Sequence, residues 1–389
     1  MPALSAIVGL GRSAIARTPI GSARALAAAA ARNAIGDAGL SARQIDGLLL
    51  NQSALAPPNS LPLQMVDDLD LHDLRLLSII EGKGASVLQM LQQATLAVAY
   101  GMARNVVCVF ADAPVGAGKA AGASYQNEAP LTGVPGWEAR YELFGPVASY
   151  ALAAQRYLHD AGAPAEALGA YPIACRRWAA LNPEALLAAP LSAEQYRASR
   201  FIAEPLRLLD CAYPVNGGAA FVVTAAERAP DHPAAPVYVH GLGQGHRTVS
   251  RLSQDDSGDG PGALAGREAY RSAGIAPRDV TLCQVYDAFS ICAPLALEDY
   301  GLCEAGAGLS LIAAGTTSPG GRLPMNTGGG QLAHAYLQGM TPLHEAVLQA
   351  RGHGGRRQVE RNDVILVTGS GGRLEYHAAA ILSPHVVLN

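Results

Sequence analysis

Ala38–Ile45 reads AGLSARQI, and Ala273–Val280 reads AGIAPRDV. The two octapeptides lie in opposite halves of the chain, and their surroundings match too. Each follows a helix-forming run, RALAAAAARNAIGD (24–37) or LAGREAYRS (264–272). Each leads into an apolar run, DGLLLNQ (46–52) or TLCQVYD (281–287). Glycine just past a helical run, then a polar turn, then β-prone residues, spells helix–turn–strand. A second pair occurs in the same order. ATLAVAYGMARNVVCVFAD (94–112) and LHEAVLQARG…RNDVILVTGSGG (343–372) each read as helix, glycine turn and strand. Two echoes in one order predict a duplicated α/β fold.

Strands alternating with helices imply a mainly parallel sheet covered by helices. Sites in such sheets form at the carboxyl ends of strands. VYDAFS (285–290), TGSGG (368–372) and the loop before Asn326 are expected there. The halves should meet near AAERAPDHPAAP (225–236), which gives an N-terminal half over 1–230 and a C-terminal half over 231–389. The stretch from about 114 to 210 is mostly helical. It interrupts the first half and is read as an inserted cap over the site.

Composition narrows the function classes. The chain has 389 residues, half of them hydrophobic, which is ample for two cores. The net charge is -4 with no basic block, which argues against nucleic acid as a partner. No apolar run approaches the roughly 20 residues of a membrane span. The N-terminal MPALSAIVGLGRSAIARTP reads as a strand and turn, not a signal peptide. Six cysteines are scattered without a C-x-x-C pair, so a reduced, cytoplasmic protein without structural zinc is expected. Cys108 and Cys283 fall inside apolar strands and read as small core residues. Lys83 and Lys119 are the only lysines, so a Schiff-base enzyme would have to use one of them. GLGQGH (241–246) lacks the last glycine of a dinucleotide fingerprint and carries no functional reading.

The motifs point further. AIVGLGRSAI (6–15), DAGLSARQIDGLL (37–49), RRWAALNPEA (176–185), PLRLLDCAYPVNGGAAFVV (205–223), QVYDAFS (284–290) and NTGGGQLAHAYLQG (326–339) occur in this order. Nearly end to end, the chain resembles the thiolase superfamily, in its sterol-carrier-protein-X-like or lipid-transfer-protein branch. LNP (181–183) and PLRLLD (205–210) are the most specific stretches, because periodicity alone does not demand them. The resemblance implies the thiolase fold: two duplicated α/β halves in five layers, αβαβα, with an inserted helical loop domain. It also implies a homodimer.

Family positions transfer one by one. A thiolase carries an acyl-accepting cysteine just before a buried helix. Here Gly84, in EGKGAS (81–86), holds that place, and Ser86 reads as a helix-start residue. A second cysteine, in C-x-G-G, is replaced by Gly369 in VTGSGG (367–372). Counting from Asn326 puts Tyr336 where the G-H-P histidine stands, with His334 two residues earlier. Tyr286 and Asp287 occupy the place of a His-Asp pair. Without a thiol at Gly84 no acyl-enzyme can form there.

This pattern resembles the side-chain-cleaving steroid aldolases, thiolase-fold proteins that lack the cysteines. The resemblance implies retro-aldol cleavage of a β-hydroxyacyl-CoA, with tyrosines as acid–base groups. It implies a separate small partner with an OB fold and zinc ribbon, completing a heterotetramer. The CoA thioester would be the substrate, with no bound cofactor. Tyr336 and Tyr286 are the expected catalytic pair, with Asp287 orienting and His334 a second candidate base. The enolate oxygen would find backbone donors near Gly84, Asn326, Gly329, Gly369 and Gly371. Loss of both thiols is also expected to enlarge the pocket. Lys83 reads better as an ion-pair partner of Glu81 or of a CoA phosphate than as a Schiff base. Two other readings remain open: an acyltransferase with an unorthodox nucleophile, and a non-catalytic acyl-CoA-binding scaffold. The latter predicts a Tyr336 packed into the core.

Overall fold

A computed structural model describes residues 3–52, 62–118, 124–125, 132–143, 145–248 and 260–388. Its main sheet has nine strands, with β5 and β6 forming a separate ribbon. In chain order the strands are β1 (Ser5–Arg12), β2 (Gly47–Asn51), β3 (Leu76–Ile79), β4 (Asn105–Asp112), β5 (Phe201–Ala203), β6 (Leu206–Arg207), β7 (Gly217–Ala225), β8 (Val237–His246), β9 (Leu282–Gln284), β10 (Ile365–Gly371) and β11 (Tyr376–Ser383). The helices are α1 (Ala23–Asp37), α2 (Pro62–Asp68), α3 (Ser86–Ala99), α4 (Gly133–Ala139), α5 (Gly145–Asp160), α6 (Ala170–Ala179), α7 (Ala193–Ala198), α8 (Pro261–Ala273), α9 (Cys292–Asp299), α10 (Gly308–Ala313), α11 (Gly330–Ala333) and α12 (Met340–Ala350).

The strand order is β3-β2-β4-β7-β1-β8-β11-β10-β9. The two halves join where β1 meets β8, antiparallel, through Ser5–Ile7 and Val237–Val239. Both sequence echoes are present. α1 leads to β2 as α8 leads to β9, and α3 leads to β4 as α12 leads to β10. Met325 bridges Cys283 in parallel, standing where the first half has β3.

Alternation along the strands builds the layers, because successive side chains point to opposite faces. Val106, Cys108 and Phe110 of β4 join a core with α3 and α12, and that core also takes Leu282, Ile365 and Val367 from the second half. Val107, Val109 and Ala111 pack on α1. Leu366, Cys283 and Ile381 pack on α8. The sheet is therefore wrapped around a central helical layer, with one helical layer outside each half.

The expectation of a mainly parallel sheet is corrected. Pairing is parallel only for β2 with β3 and β4, and for β9 with β10. β4–β7, β7–β1, β1–β8, β8–β11 and β10–β11 are antiparallel. β11 returns from β10 through a short turn at Gly372 (φ 66°), and a connection that short can only make an antiparallel pair.

GLGQGH also finds its role in the fold. A Cβ on Gly241 would lie 2.1 Å from Ala269 O of α8, and one on Gly9 would lie 2.2 Å from Ala34 O of α1. Each glycine lets its covering helix touch the strand. Gly9-Leu10-Gly11 and Gly241-Leu242-Gly243 are thus a third echo of the duplication. The Leu10 N–H donates to Asp37 Oδ2 at 2.9 Å, and the Leu242 N–H to Ser272 Oγ at 3.0 Å, from matching places on α1 and α8.

The inserted segment contributes α4–α7 and the β5–β6 ribbon. Its two specific motifs have structural reasons. Asn182 of LNP, buried, donates to Gly328 O at 2.9 Å. Asp210 of PLRLLD, also buried, accepts from Tyr196 OH at 2.8 Å and from the Arg207 N–H at 2.7 Å. One motif ties the insert to the Asn326 loop, and the other ties the insert to itself.

Candidate active site

Gly84, Tyr286, Tyr336, Gly369 and Gly371 converge where α3 starts and β9 and β10 end. Lys83–Ala85 form a 3-10 turn that runs into α3 at Ser86. Ser86 Oγ accepts from the Gly82 N–H at 2.7 Å and so closes this turn. β10 lies tightly along it. A Cβ on Gly369 would meet Gly84 O at 2.8 Å, and one on Gly371 would meet Gly82 O at 2.4 Å. These two glycines allow strand and turn to touch.

Tyr286 follows β9 and points into this junction. Its hydroxyl lies 3.2 Å from that of Tyr336. Tyr336 keeps part of its surface accessible, whereas Tyr286 is buried. Both rings share an apolar cluster with Tyr150, Phe289, Cys292, Leu295 and Leu374. Burial pushes the Tyr336 hydroxyl up to about 12, while the hydrogen bond with Tyr286 works in the opposite direction. Burial, with Tyr336 beside it, holds Tyr286 well above the ordinary tyrosine value. Tyr336 is the one of the pair with surface that a substrate can reach.

The expected enlargement of the pocket is corrected. A Cβ on Gly84 would meet Ser370 O at 2.1 Å and Tyr286 Cε2 at 2.2 Å. The Tyr286 ring fills the room a nucleophilic side chain would need. Glycine at 84 and tyrosine at 286 are two halves of one steric solution.

Asp287 lies away from the hydroxyl pair. Fully buried, it accepts from Tyr171 OH at 2.7 Å and from the Gln331 N–H at 2.9 Å. Burial raises its carboxyl to about 7. A Cβ on Gly330 (φ 63°) would strike Asp287 Oδ2 at 2.1 Å. Asp287 thus anchors the loop that carries Tyr336. Asn326 is engaged in the same way: its Oδ1 accepts from the Val285 N–H at 2.7 Å, and its Nδ2 donates to Tyr171 OH at 2.6 Å and Val285 O at 3.0 Å. A Cβ on Gly329 would lie 2.8 Å from Ala179 Cβ of α6. The loop's glycines admit neighbouring protein atoms, which is a different occupant from the thioester expected of them.

His334 faces another region. Its Nε2 lies 3.4 Å from Arg12 Nη1, and it lines a cavity of about 540 Å³ with Arg12, His344 and Arg351. Burial, with Arg12 nearby, lowers it to about 4, so it is a neutral imidazole at physiological pH. Lys83 Nζ pairs with Glu81 Oε1 at 3.2 Å, and both side chains are about half exposed. Lys119 lies outside the described residues.

Sequence reasoning missed several neighbours. Tyr150 stacks on Phe289 with ring centroids 4.4 Å apart. Tyr125 meets the Tyr336 ring edge-on at 6.5 Å and donates to Asp112 Oδ2 at 3.0 Å. Cys292 is buried in the cluster, and burial holds its thiol at about 12, a poor state for a nucleophile. No short motif marks Tyr125, Tyr150 or Cys292, and Phe289, although inside QVYDAFS, was given no role. Asp112 alone carried a signal, as the charge ending an apolar strand.

Two duplicated halves, a helix N-terminus opposing the ends of β9 and β10, glycines at the thiol positions and a tyrosine pair at the histidine positions define a thiolase-fold enzyme without the thiolase nucleophile. Comparison with known proteins agrees. The family model "Thiolase C-terminal domain-like" matches residues 243–384. The chain is 32% identical over 380 residues to the steroid side-chain-cleaving aldolase of Thermomonospora curvata, covering 95% of this chain and 96% of that one. It is 34% identical to the 17-hydroxy-3-oxo-4-pregnene-20-carboxyl-CoA lyase of Mycobacterium tuberculosis, covering 94% and 96%. Among solved structures, the Ltp2-ChsH2(DUF35) aldolase superposes with a TM-score of 0.87 at 32% identity over 98% of both chains. Human mitochondrial 3-ketoacyl-CoA thiolase, at 13% identity, superposes with a TM-score of 0.69 over 98% of both chains and shares the fold. The chain belongs to the thiolase superfamily, in the branch of the side-chain-cleaving aldolases, and is a carbon–carbon lyase.

Proposed function

We propose that the chain cleaves the side chain of a steroid-type β-hydroxyacyl-CoA by a retro-aldol reaction, with Tyr336 and Tyr286 as the acid–base pair. The observation that carries this reading is the 3.2 Å contact between the two hydroxyls, with the Tyr286 ring against Gly84. Tyr336, the accessible member of the pair, acts as a phenolate and takes the proton of the β-hydroxyl, and Tyr286 donates a hydrogen bond to that phenolate. The bond between the α- and β-carbons then breaks. Its electron pair passes to the thioester enolate, and the β-carbon becomes a ketone or aldehyde. A proton returned through the pair to the α-carbon releases a short acyl-CoA. No covalent acyl carrier and no bound cofactor take part.

The relatives' names support a CoA-linked steroid substrate. The Ltp2-ChsH2(DUF35) aldolase supports a DUF35 partner; we take this to be the small OB-fold protein, and propose a homodimer of this chain at the centre of a heterotetramer. Among the described residues no helix is long and apolar enough to cross a membrane, which is compatible with a cytoplasmic enzyme. Tyr336→Phe and Tyr286→Phe should each lower kcat by about 10²- to 10⁴-fold, the usual worth of a positioned acid or base. The assay is release of acyl-CoA from a panel of β-hydroxyacyl-CoAs, with the partner co-purified. Full turnover by both variants overturns the assignment. A covalent acyl adduct in the mass spectrum would favour the acyltransferase reading.

A further inference from the structure

The loop that delivers Tyr336 is gripped at both ends by the helix that follows it. Thr341 and Glu345 of α12 are four residues apart and therefore share one helix face. Thr341 Oγ1 donates to Ala335 O at 2.7 Å, one residue before Tyr336. One turn further on, Glu345 Oε1 accepts from Thr327 Oγ1 at 2.8 Å, at the far end of the same loop. Thr327 Oγ1 in turn accepts from Gln284 Nε2 at 2.8 Å, two residues before Tyr286. The loop presses on the carboxylate: a Cβ on Gly328 would lie 2.8 Å from Glu345 Oε2.

This grip is deeply buried. The Glu345 and Arg357 side chains are 3% and 6% exposed and pair at 3.0 Å. Arg357 Nη2 also donates to Glu345 Oε2 at 3.1 Å. A buried ion pair adds little to stability over well-packed apolar residues of similar size. What it does add is direction: Oε1 also accepts from Gln349 Nε2 at 3.0 Å, so Arg357 and Gln349 together hold the carboxylate in the orientation that meets Thr327. None of these groups hydrogen-bonds to either reacting hydroxyl.

We propose that Thr341 and Glu345 are positioning residues of the lyase reaction, fixing the span Thr327–Ala335 and with it the stance of the Tyr336 hydroxyl opposite Tyr286. The proposal rests on Tyr336 being a reacting group. A displacement of about 1 Å at a reacting atom costs on the order of 10²-fold in rate. The grip therefore acts on kcat, while substrate contacts elsewhere set KM.

Thr341→Val keeps the shape and removes the donor. In the enzyme co-purified with its partner, kcat should fall by about 10- to 100-fold, with KM within about threefold of the parent. Thr341→Ser, which restores the hydroxyl, should restore kcat. Thr327→Val removes the opposite grip and should show the same split; it also decides the matter if Thr341→Val does not fold. A contact that only stabilises would lower the urea midpoint and leave kcat per folded molecule unchanged. That outcome, or failure of serine to rescue, overturns the proposal. Tyr336→Phe separates the two ideas. If it turns over fully, the tyrosine reading fails. If it is inactive while both valine variants are fully active, the positioning proposal alone fails.

Discussion

At the scale of single residues, the exchange of Gly84 and Tyr286 is the most informative feature. The sequence shows a glycine where a thiolase keeps its nucleophile, and nothing more. The structure adds that a tyrosine ring and the Ser370 carbonyl stand in the vacated space. Restoring the cysteine alone should therefore not restore acyl transfer. Gly84→Cys is expected to cost about 1–3 kcal/mol, the usual penalty of overpacking a filled core. Urea unfolding measures the loss, and intact mass after incubation with acyl-CoA should show no adduct. His334 teaches the opposite lesson. Two residues from Tyr336, it stood in the sequence as a second candidate base. The backbone turns it towards Arg12, on another side of the loop.

At the scale of elements, the duplication is written in glycines as much as in helices. Gly9 and Gly241 hold matching places under α1 and α8, and an added Cβ at either would strike a helical carbonyl oxygen. Gly9→Ala and Gly241→Ala should each destabilise by about 1–3 kcal/mol, because helix and strand must part. Similar losses in urea midpoint for the two variants would reflect matched roles; a neutral effect at either site would contradict this packing. GLGQGH was legible as a glycine run that fails the dinucleotide fingerprint, but its packing role against α8 was not. Its counterpart GLG at 9–11 was the missed signal. Strand direction was misread. Alternation of helix and strand predicted parallel pairing, whereas the turn at Gly372 and the return of β7 beside β4 decide for antiparallel.

At the scale of the whole molecule, buried titratable groups link folding to pH. His334 has a folded value of about 4, below its ordinary 6.5, because burial disfavours the imidazolium. Its contribution is fully present above pH 6.5 and is lost as pH falls towards 4, since the unfolded chain then binds the extra proton. Asp287 works the other way. Its carboxyl is raised to about 7, so the penalty of burying the anion grows as pH rises from 3.8 towards 7. The two slopes oppose each other in the parent. His334→Leu removes one of them. Between pH 6.5 and 4, the stability of this variant should gain on that of the parent by about 1.4 kcal/mol per pH unit of acidification. Urea unfolding at pH 6.5 and 5 measures the difference; parallel curves would show that His334 is not titrated by unfolding.

The sequence by itself determined the duplicated halves, the branch of the family and the replacement of both thiols. These follow from local periodicity, turn chemistry and motif order, which survive in one dimension. Only the tertiary structure decided which side chains face one another. It brought Tyr286 to Tyr336 across fifty positions, filled the nucleophile's space with a ring, and set Asp287 and Asn326 to hold the loop. A side chain's neighbours are fixed by how layers stack and how closely backbones approach, and those distances exist only once the halves have closed around α3 and α12.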